Sequence, residues 1–272
     1  SDVCSSDLFY NSAGGVITDT YYVASEFIAD RIKKSKYHDV KNLIPVGQYK
    51  ADYITLYKTK SIPEEISKAK ENGKKIIVAF GYQAFHHWFE SSIHPILNWT
   101  SQLNFLNDMI KLSQQLNGAF LILRYKGLDW VTNPYFKSIL EKLNNCENIV
   151  ISNKFIPFYA YKLCAHADLV IAKHSSIADE CLSKEIPVLF HEYTHNMKKT
   201  VLDNTNYLPQ ELKCYNFEEL YQKSKSILFS DSTKLEKKVK ELSETIYFVN
   251  EKKNIKKKIL DNLKNQLIKN KL

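Results

Sequence analysis

The chain contains no apolar run approaching the roughly 18 residues that a membrane-crossing helix needs. A spanning helix is therefore excluded, and the expectation is a soluble or peripherally bound chain. Its five cysteines, Cys4, Cys146, Cys164, Cys181 and Cys214, form no CxxC pair and no zinc-like spacing. Cys164 and Cys181 sit in apolar helical patterns, where a free thiol behaves as a small hydrophobe. This suits a reducing, cytoplasmic setting. There is no internal repeat, no low-complexity tract beyond a Lys/Asn-rich end, and no initiator methionine. The apolar strand segments show no polar alternation, which argues against a sheet with one wet face.

What is present is an ordinary globular composition, 44% apolar and 25% charged over 272 residues, enough for one large or two small domains with a substantial core. The net charge of +8 hints at nucleic acid until it is located. Residues 234–272 hold twelve lysines against five carboxylates, so nearly all of the excess lies in the tail. A nucleic-acid binder interleaves basic residues with aromatics across a face. Here 14 Phe, 17 Tyr and 3 Trp are scattered while the charge is terminal. Nucleic acid is not expected as a partner. The basic tail reads either as a solvated helix face or as a peripheral contact with an anionic membrane.

The first eight residues, Ser1-Asp2-Val3-Cys4-Ser5-Ser6-Asp7-Leu8, look like the translation of a common sequencing-library adapter. They are set aside as non-native. On that reading the chain is the C-terminal part of a longer protein.

Apolar spacing predicts a helix over Thr18–Lys34, a short strand over Asn42–Gly47 and a helix over Ser61–Lys70 with Pro63 in its first turn. A regular alternation begins at Lys75. Strands are expected at 76–80, 119–123, 148–151, 168–171 and 187–190, and helices at 101–116, 135–143, 158–165 and 176–183. A helix over 217–228 follows. The tail carries two amphipathic stripes, Leu235-Val239-Leu242-Ile246-Val249 and Ile255-Ile259-Leu263-Leu267. Continuous apolar strands alternating with helices predict an α/β fold, a doubly wound parallel sheet that binds ligands at the carboxyl ends of its strands.

Candidate chemistry lies at those ends. Ser175 and Ser176 follow a buried strand and open a helix, with Glu180 on the same face as Ser176. Capping alone would explain the serines. The pair with its carboxylate favours a phosphate cradle beside a ribose-binding acid. His174 either donates to the phosphate or caps the turn. Lys173 either neutralises a diphosphate or is solvated. Arg124, Tyr125 and Lys126 follow a central strand, as charged-ligand contacts or as a surface turn. Phe155, Ile156 and Pro157 either wall a base or pack. The pair His86 and His87, near Glu90, reads as a non-metal feature. His191-Glu192-Tyr193-Thr194-His195 spells a zinc-protease string, but it follows a strand end and lacks the long helix that would align both histidines. It reads as a cleft or loop segment.

The segment ADLVIAKHSSIADECLSKEIPVLF resembles the C-terminal domain of glycosyltransferases with the two-domain GT-B fold, closest in character to bacterial CDP-glycerol glycerophosphotransferase-like and capsule-polysaccharide enzymes. Ser175, Ser176, Glu180 and Pro187 match that pattern, and Glu185 stands where a glycine is usual, so the helix end is expected to close differently. IPVGQYKADYI, with Gly47 and Asp52, looks like the segment closing the N-terminal domain. The tail helices resemble those that cross back to it.

The resemblance implies a Rossmann-like doubly wound sheet over 59–232. It also implies an N-terminal-domain remnant over 9–58 and basic helices over 233–272. It implies a transferase that moves a sugar or polyol-phosphate group from a nucleotide-activated donor, UDP- or CDP-linked, to a glycan or polyol-phosphate acceptor of a surface polymer. Ser175 and Ser176, with His174, Arg124 or Lys126, would meet the diphosphate. Glu180 would hold the ribose, and Phe155 and Ile156 would face the base. No metal cofactor is implied. The catalytic base is expected in the N-terminal domain, so the chain alone would bind nucleotide weakly without turnover. Two rivals remain. One is a nucleotide-sugar 2-epimerase of the same fold, which usually carries Ser-Gly-Gly where this chain has His174-Ser175-Ser176. The other is a non-catalytic module that uses the basic tail.

Overall fold

The computed structural model describes residues 16–34, 38–81, 99–173, 175–194, 207–230, 233–247 and 255–269. The first described element corrects the sequence reading. β1 spans Val16–Val23, where a helix is predicted from Thr18. Thr18, Thr20, Tyr21, Tyr22 and Val23 are β-branched or aromatic, and such side chains suit a pleated surface better than a helix. β1 pairs in parallel with β2 (His38–Pro45) along its whole length, from Val16 opposite His38 to Val23 opposite Pro45. The helix begins only at α1 (Glu26–Lys34), where the Ser25 hydroxyl accepts the Ile28 N–H at 3.3 Å. A turn at Gly47, whose φ of +103° favours glycine, leads through a single 3-10 turn (Tyr49–Ala51) into α2 (Asp52–Lys58) and α3 (Glu64–Glu71).

From Lys75 the chain alternates as expected. The strands are β3 (Lys75–Phe80), β4 (Ala119–Arg124), β5 (Ile149–Ile151), β6 (Leu169–Ala172) and β7 (Val188–His191). A two-residue edge strand, β8 (Lys213–Cys214), carries no sequence signal of its own. The intervening helices are α4 (Trp99–Gln115), α5 (Lys137–Asn144), α6 (Tyr159–Cys164) and α7 (Ser176–Leu182), with α8 (Phe217–Phe229) after β8. All six strands are parallel, in the spatial order β5-β4-β3-β6-β7-β8. Counted from β3, that is 3-2-1-4-5-6, the doubly wound order in which strand sequence reverses between β3 and β6.

The sheet separates two cores. Along β3, Ile76, Val78 and Phe80 face α2, α3, α6, α7 and the C-terminal segment around Val239 and Leu242, while Ile77 and Ala79 face α4, α5 and α8. Every strand side chain from Ile76 to Phe80 is buried. Each such aliphatic contributes roughly 1.5–3 kcal/mol of transfer free energy, so the continuous apolar strands are the main reason this sheet forms.

Helix α7 ends on a left-handed residue. The Ile186 N–H donates to the Cys181 carbonyl at 3.0 Å and the Glu185 N–H to that of Leu182 at 3.1 Å, a Schellman closure with Glu185 at φ 59°. The expectation of a different closure is thus corrected: the helix ends as a glycine would end it, with glutamate carrying the strain. We expect Glu185→Gly to stabilise the chain by about 1 kcal/mol, read as a higher urea midpoint; an unchanged or lower midpoint would refute the strain.

The C-terminal helices tie the two sheets together. In α9 (Thr233–Thr245), Val239 and Leu242 are buried against the core around α7, and beyond it Tyr247 donates to Asp179 Oδ1 at 2.6 Å. α10 (Ile255–Lys269) returns to β1, where Tyr22 donates to Asn262 Oδ1 at 3.0 Å and Gln266 donates to Thr20 Oγ1 at 3.2 Å. A Cβ on Gly47 would lie 2.9 Å from Ile255 Cδ1, so the Gly47 turn is also where α10 seats. The second apolar stripe is only half used: Leu263 and Leu267 are exposed. The packed face carries Asn262 and Gln266 instead, because β1 offers hydroxyl partners there.

Candidate functional site

The strand reversal between β3 and β6 marks, beyond their carboxyl ends, the crevice in which this topology usually holds its ligand. Gly81 ends β3 and donates its N–H to the Arg124 carbonyl at 3.0 Å. A Cβ there would fall 2.4 Å from the Tyr125 ring, so only glycine leaves room for that buried ring. On the other side Ser175 sits at the N-cap of α7 in extended conformation (φ −158°, ψ 134°), and its hydroxyl makes no capping hydrogen bond. Ser175 and Ser176 are half-buried where α7 opens after the carboxyl end of β6. The helix has seven residues, so local N–H groups matter here more than a summed dipole.

Glu180 departs from a solvated helix residue. It is 3% exposed, and burial pushes its carboxyl up to about 7, opposed by a hydrogen bond from the Tyr161 hydroxyl and by the nearby Lys50. Its Oε2 has no hydrogen-bond partner among the described residues. Lys50 belongs to the 3-10 turn after Gly47, and Lys184 pairs with Asp52 of α2 at 3.0 Å. The segment closing the first sheet thus packs directly on α7, and Glu180 lies at that seam. Its neighbour Asp179 is also buried, and desolvation raises its carboxyl to about 6 although the Tyr247 hydroxyl donates to it.

Arg124 leaves the end of β4, two strands or roughly 10 Å from β6 at the usual strand spacing. Its guanidinium lies 4.9 Å above the Phe155 ring and 6.0 Å from that of Tyr159, and its Nη1 is buried without a hydrogen-bond partner among the described residues. The structure thus brings Arg124 and Phe155 together. Phe155 and Ile156 remain exposed, at 49% and 61%, and Lys126 is exposed. His174 lies outside the described residues, as do His86, His87, Glu90 and His195.

Sequence reasoning missed Glu65. From the first turn of α3 it accepts the Tyr159 hydroxyl and, at 3.5 Å each, approaches Ser152 Oγ and Lys154 Nζ. It fixes the aromatic that backs Arg124. An acid in a helix's first turn reads as a dipole partner, and nothing in its spacing could have revealed this contact. Tyr53 was missed likewise; it stacks on Phe158 at 4.0 Å.

One expectation is corrected. Lys173 neither meets the crevice as a free cation nor is solvated. It is 1% exposed, pairs with Glu192, approaches Thr194 Oγ1 at 3.4 Å and lies 4.8 Å from the Tyr193 ring centroid. Of the zinc-like string, His191 ends β7 and residues 192–194 form the loop after it. Its Glu192 is bound to Lys173, and His191, on β7, contacts Asp108 Oδ2 through Nε2 at 2.8 Å. Among the described residues no group of three or more His, Cys, Asp or Glu side chains is placed to hold a metal. No helix among them is long and apolar enough to cross a membrane.

No protein-family model matches the chain, and no curated protein sequence matches it. Solved structures do. UDP-GlcNAc 2-epimerase from Neisseria meningitidis, solved bound to UDP-GlcNAc, superposes with a TM-score of 0.58 at 13% identity, over 91% of this chain and 61% of that one. The wall teichoic acid polymerase TagF gives 0.58 at 14%, over 93% and 59%. A UDP-forming trehalose-phosphate synthase from Burkholderia xenovorans gives 0.51 at 9%, over 82% and 56%. The chain spans less than two thirds of each. These likenesses define the class: a Rossmann-like α/β domain of the GT-B type, flanked by a second, two-stranded parallel sheet.

Proposed function

We propose that the chain is the donor-binding part of an enzyme acting on a nucleotide-activated substrate. In this reading it moves a sugar or polyol-phosphate group from a UDP- or CDP-linked donor to a surface-polymer acceptor. The observation that carries this is the strand reversal between β3 and β6, with Ser175 and Ser176 on one side and the Arg124–Phe155 stack on the other. A diphosphate would take the serine hydroxyls, the first amides of α7 and the unpaired Arg124 Nη1. A base would lie against the exposed Phe155 and Ile156. Glu180 would accept from ribose hydroxyls through its unpaired Oε2, once a ligand opens the seam at the 3-10 turn. Each of these groups binds or orients the donor. A base for the acceptor is assigned to none of them, and no metal is called upon.

A thermal-shift panel of UDP, CDP, GDP and CMP tests the reading. A nucleotide at a hundred times its Kd stabilises the folded chain by about 2.7 kcal/mol, a rise of several degrees in Tm. Arg124→Ala is expected to cut that shift sharply with little change in the unliganded Tm. No stabilisation by any nucleotide would overturn the proposal. The epimerase neighbour superposes as well as the polymerase. C2 epimerisation of a UDP-amino sugar, followed by proton NMR, would favour that second reading over transfer.

A further inference from the structure

A cavity lies at the other end of the sheet. It has a volume of about 680 Å³, within the range of small-molecule sites. It opens at the amino ends of β3 and β6, between the end of α2, the start of α9 and the turn after α7. Asp168 in its wall precedes β6, whereas Ser175 follows it, so the length of a strand separates this cavity from the crevice. Nothing in the proposed donor site uses it.

Its chemistry is two-sided. Ile186, Leu228 and Val239, all nearly buried, form apolar wall. Around them stand Lys58, Lys75, Lys237 and Lys240. Lys237 and Lys240 lie three residues apart on α9 and so share a face. Three carboxylates also line the cavity: Asp168, Glu185 and Glu236. Asp168 is already engaged, since its Oδ2 accepts the Ile76 N–H at 2.7 Å and its Oδ1 faces Lys75 at 3.8 Å. His166 holds its proton less readily than usual, first through burial and then through Lys70, Lys162 and Lys58. Glu185 reaches the cavity from a left-handed backbone position that glycine would occupy without strain.

We propose that this cavity binds a phosphate ester bearing an apolar group. The phosphate would lie among Lys58, Lys237 and Lys240, and the apolar group on Ile186, Leu228 and Val239. A soluble phosphate ester and the headgroup region of an anionic lipid share this chemistry.

The test uses the full chain and two probes, octyl phosphate by isothermal titration and phosphatidylglycerol vesicles by co-sedimentation, with phosphatidylcholine vesicles as the uncharged reference. Octyl phosphate is expected to saturate a single site, weakened at least tenfold in Lys237→Ala/Lys240→Ala and tightened in Glu185→Gln. Both lysines are exposed, so the double variant should keep the wild-type Tm. Ser175→Ala/Ser176→Ala is expected to leave the titration unchanged. Loss of vesicle binding in the lysine variant as well would identify a lipid source. Octyl phosphate binding without vesicle binding would identify a soluble one. The proposal is overturned if neither probe binds saturably, if the lysine variant binds like wild type, or if only the serine variant loses binding. Nucleotide stabilisation is read separately, so the two proposals fail independently.

Discussion

Replacing Lys173 by methionine is expected to lower the folding free energy by about 3–5 kcal/mol, the usual cost of stranding one partner of a buried ion pair. Lys173 is the only described cation hydrogen-bonded to Glu192, whose other oxygen, Oε2, is already without a partner among the described residues. Among the described residues, removing the ammonium leaves a buried carboxylate supported only by the Thr194 N–H and hydroxyl. At roughly 2–4 °C per kcal/mol for a chain of this size, Tm should fall by about 10 °C or more. The double variant Lys173→Met/Glu192→Leu should recover most of the loss, since an apolar pair of similar volume needs no charge balance. Urea denaturation of the three chains measures both effects. A solvated lysine would cost only about 0.5 kcal/mol, so a near-neutral single variant contradicts the buried pair.

The second large effect is a fall in stability as pH rises. Burial raises Asp179 to about 6 and Glu180 to about 7, whereas in the unfolded chain both return to ordinary carboxylate values near 4. The folded chain therefore binds more protons than the unfolded one between about pH 4 and 7, and stability decreases through that window. The stabilisation is fully present below the unfolded values and is lost as pH passes the folded ones. The two groups are neighbours on α7 and influence each other. Each accounts for about 3 kcal/mol by linkage at most. Urea midpoints at pH 4.5, 5.5, 6.5 and 7.5 should fall steadily in the wild type. Asp179→Asn and Glu180→Gln should each flatten the slope, the first by keeping an acceptor for Tyr247 without a charge. A midpoint that is level or rises with pH would show that these carboxyls are not desolvated.

The two effects mark where one-dimensional reading stopped. From Lys75 to Phe190 the strands and helices were legible, because continuous apolar runs have one economical solution, a parallel sheet covered on both faces. The boundaries of β3, β4 and α4 fall within a residue or two of the periodicity. β1 was misread because Tyr21, Ala24, Ile28 and Ile32 keep helical spacing across two elements: Tyr21 on β1, Ala24 in the junction, Ile28 and Ile32 on α1. Pairing with β2 decided the outcome. The tail helices were legible as amphipathic, but not which face of α10 would be used. That depended on Tyr22 and Thr20, more than 200 residues away.

For the site, Ser175, Ser176 and Arg124 stand where their positions after buried strands placed them. Lys173 shows the limit of that argument. It leaves β6 one residue beyond Ala172, but the next strand turns Glu192 toward it, and a charge pair closed off from water is fixed by neighbours across the sheet. Glu65 is hidden for the same reason.

By itself the sequence determined the fold class and the five strands of the sheet from Lys75 to His191, since apolar period and turn chemistry are local properties. Only the tertiary structure decided which charged groups are buried: Lys173 with Glu192, Asp179 under Tyr247, Glu180 at the seam with the first sheet. Desolvation depends on what long-range packing lays over a side chain, and no spacing along the chain encodes that.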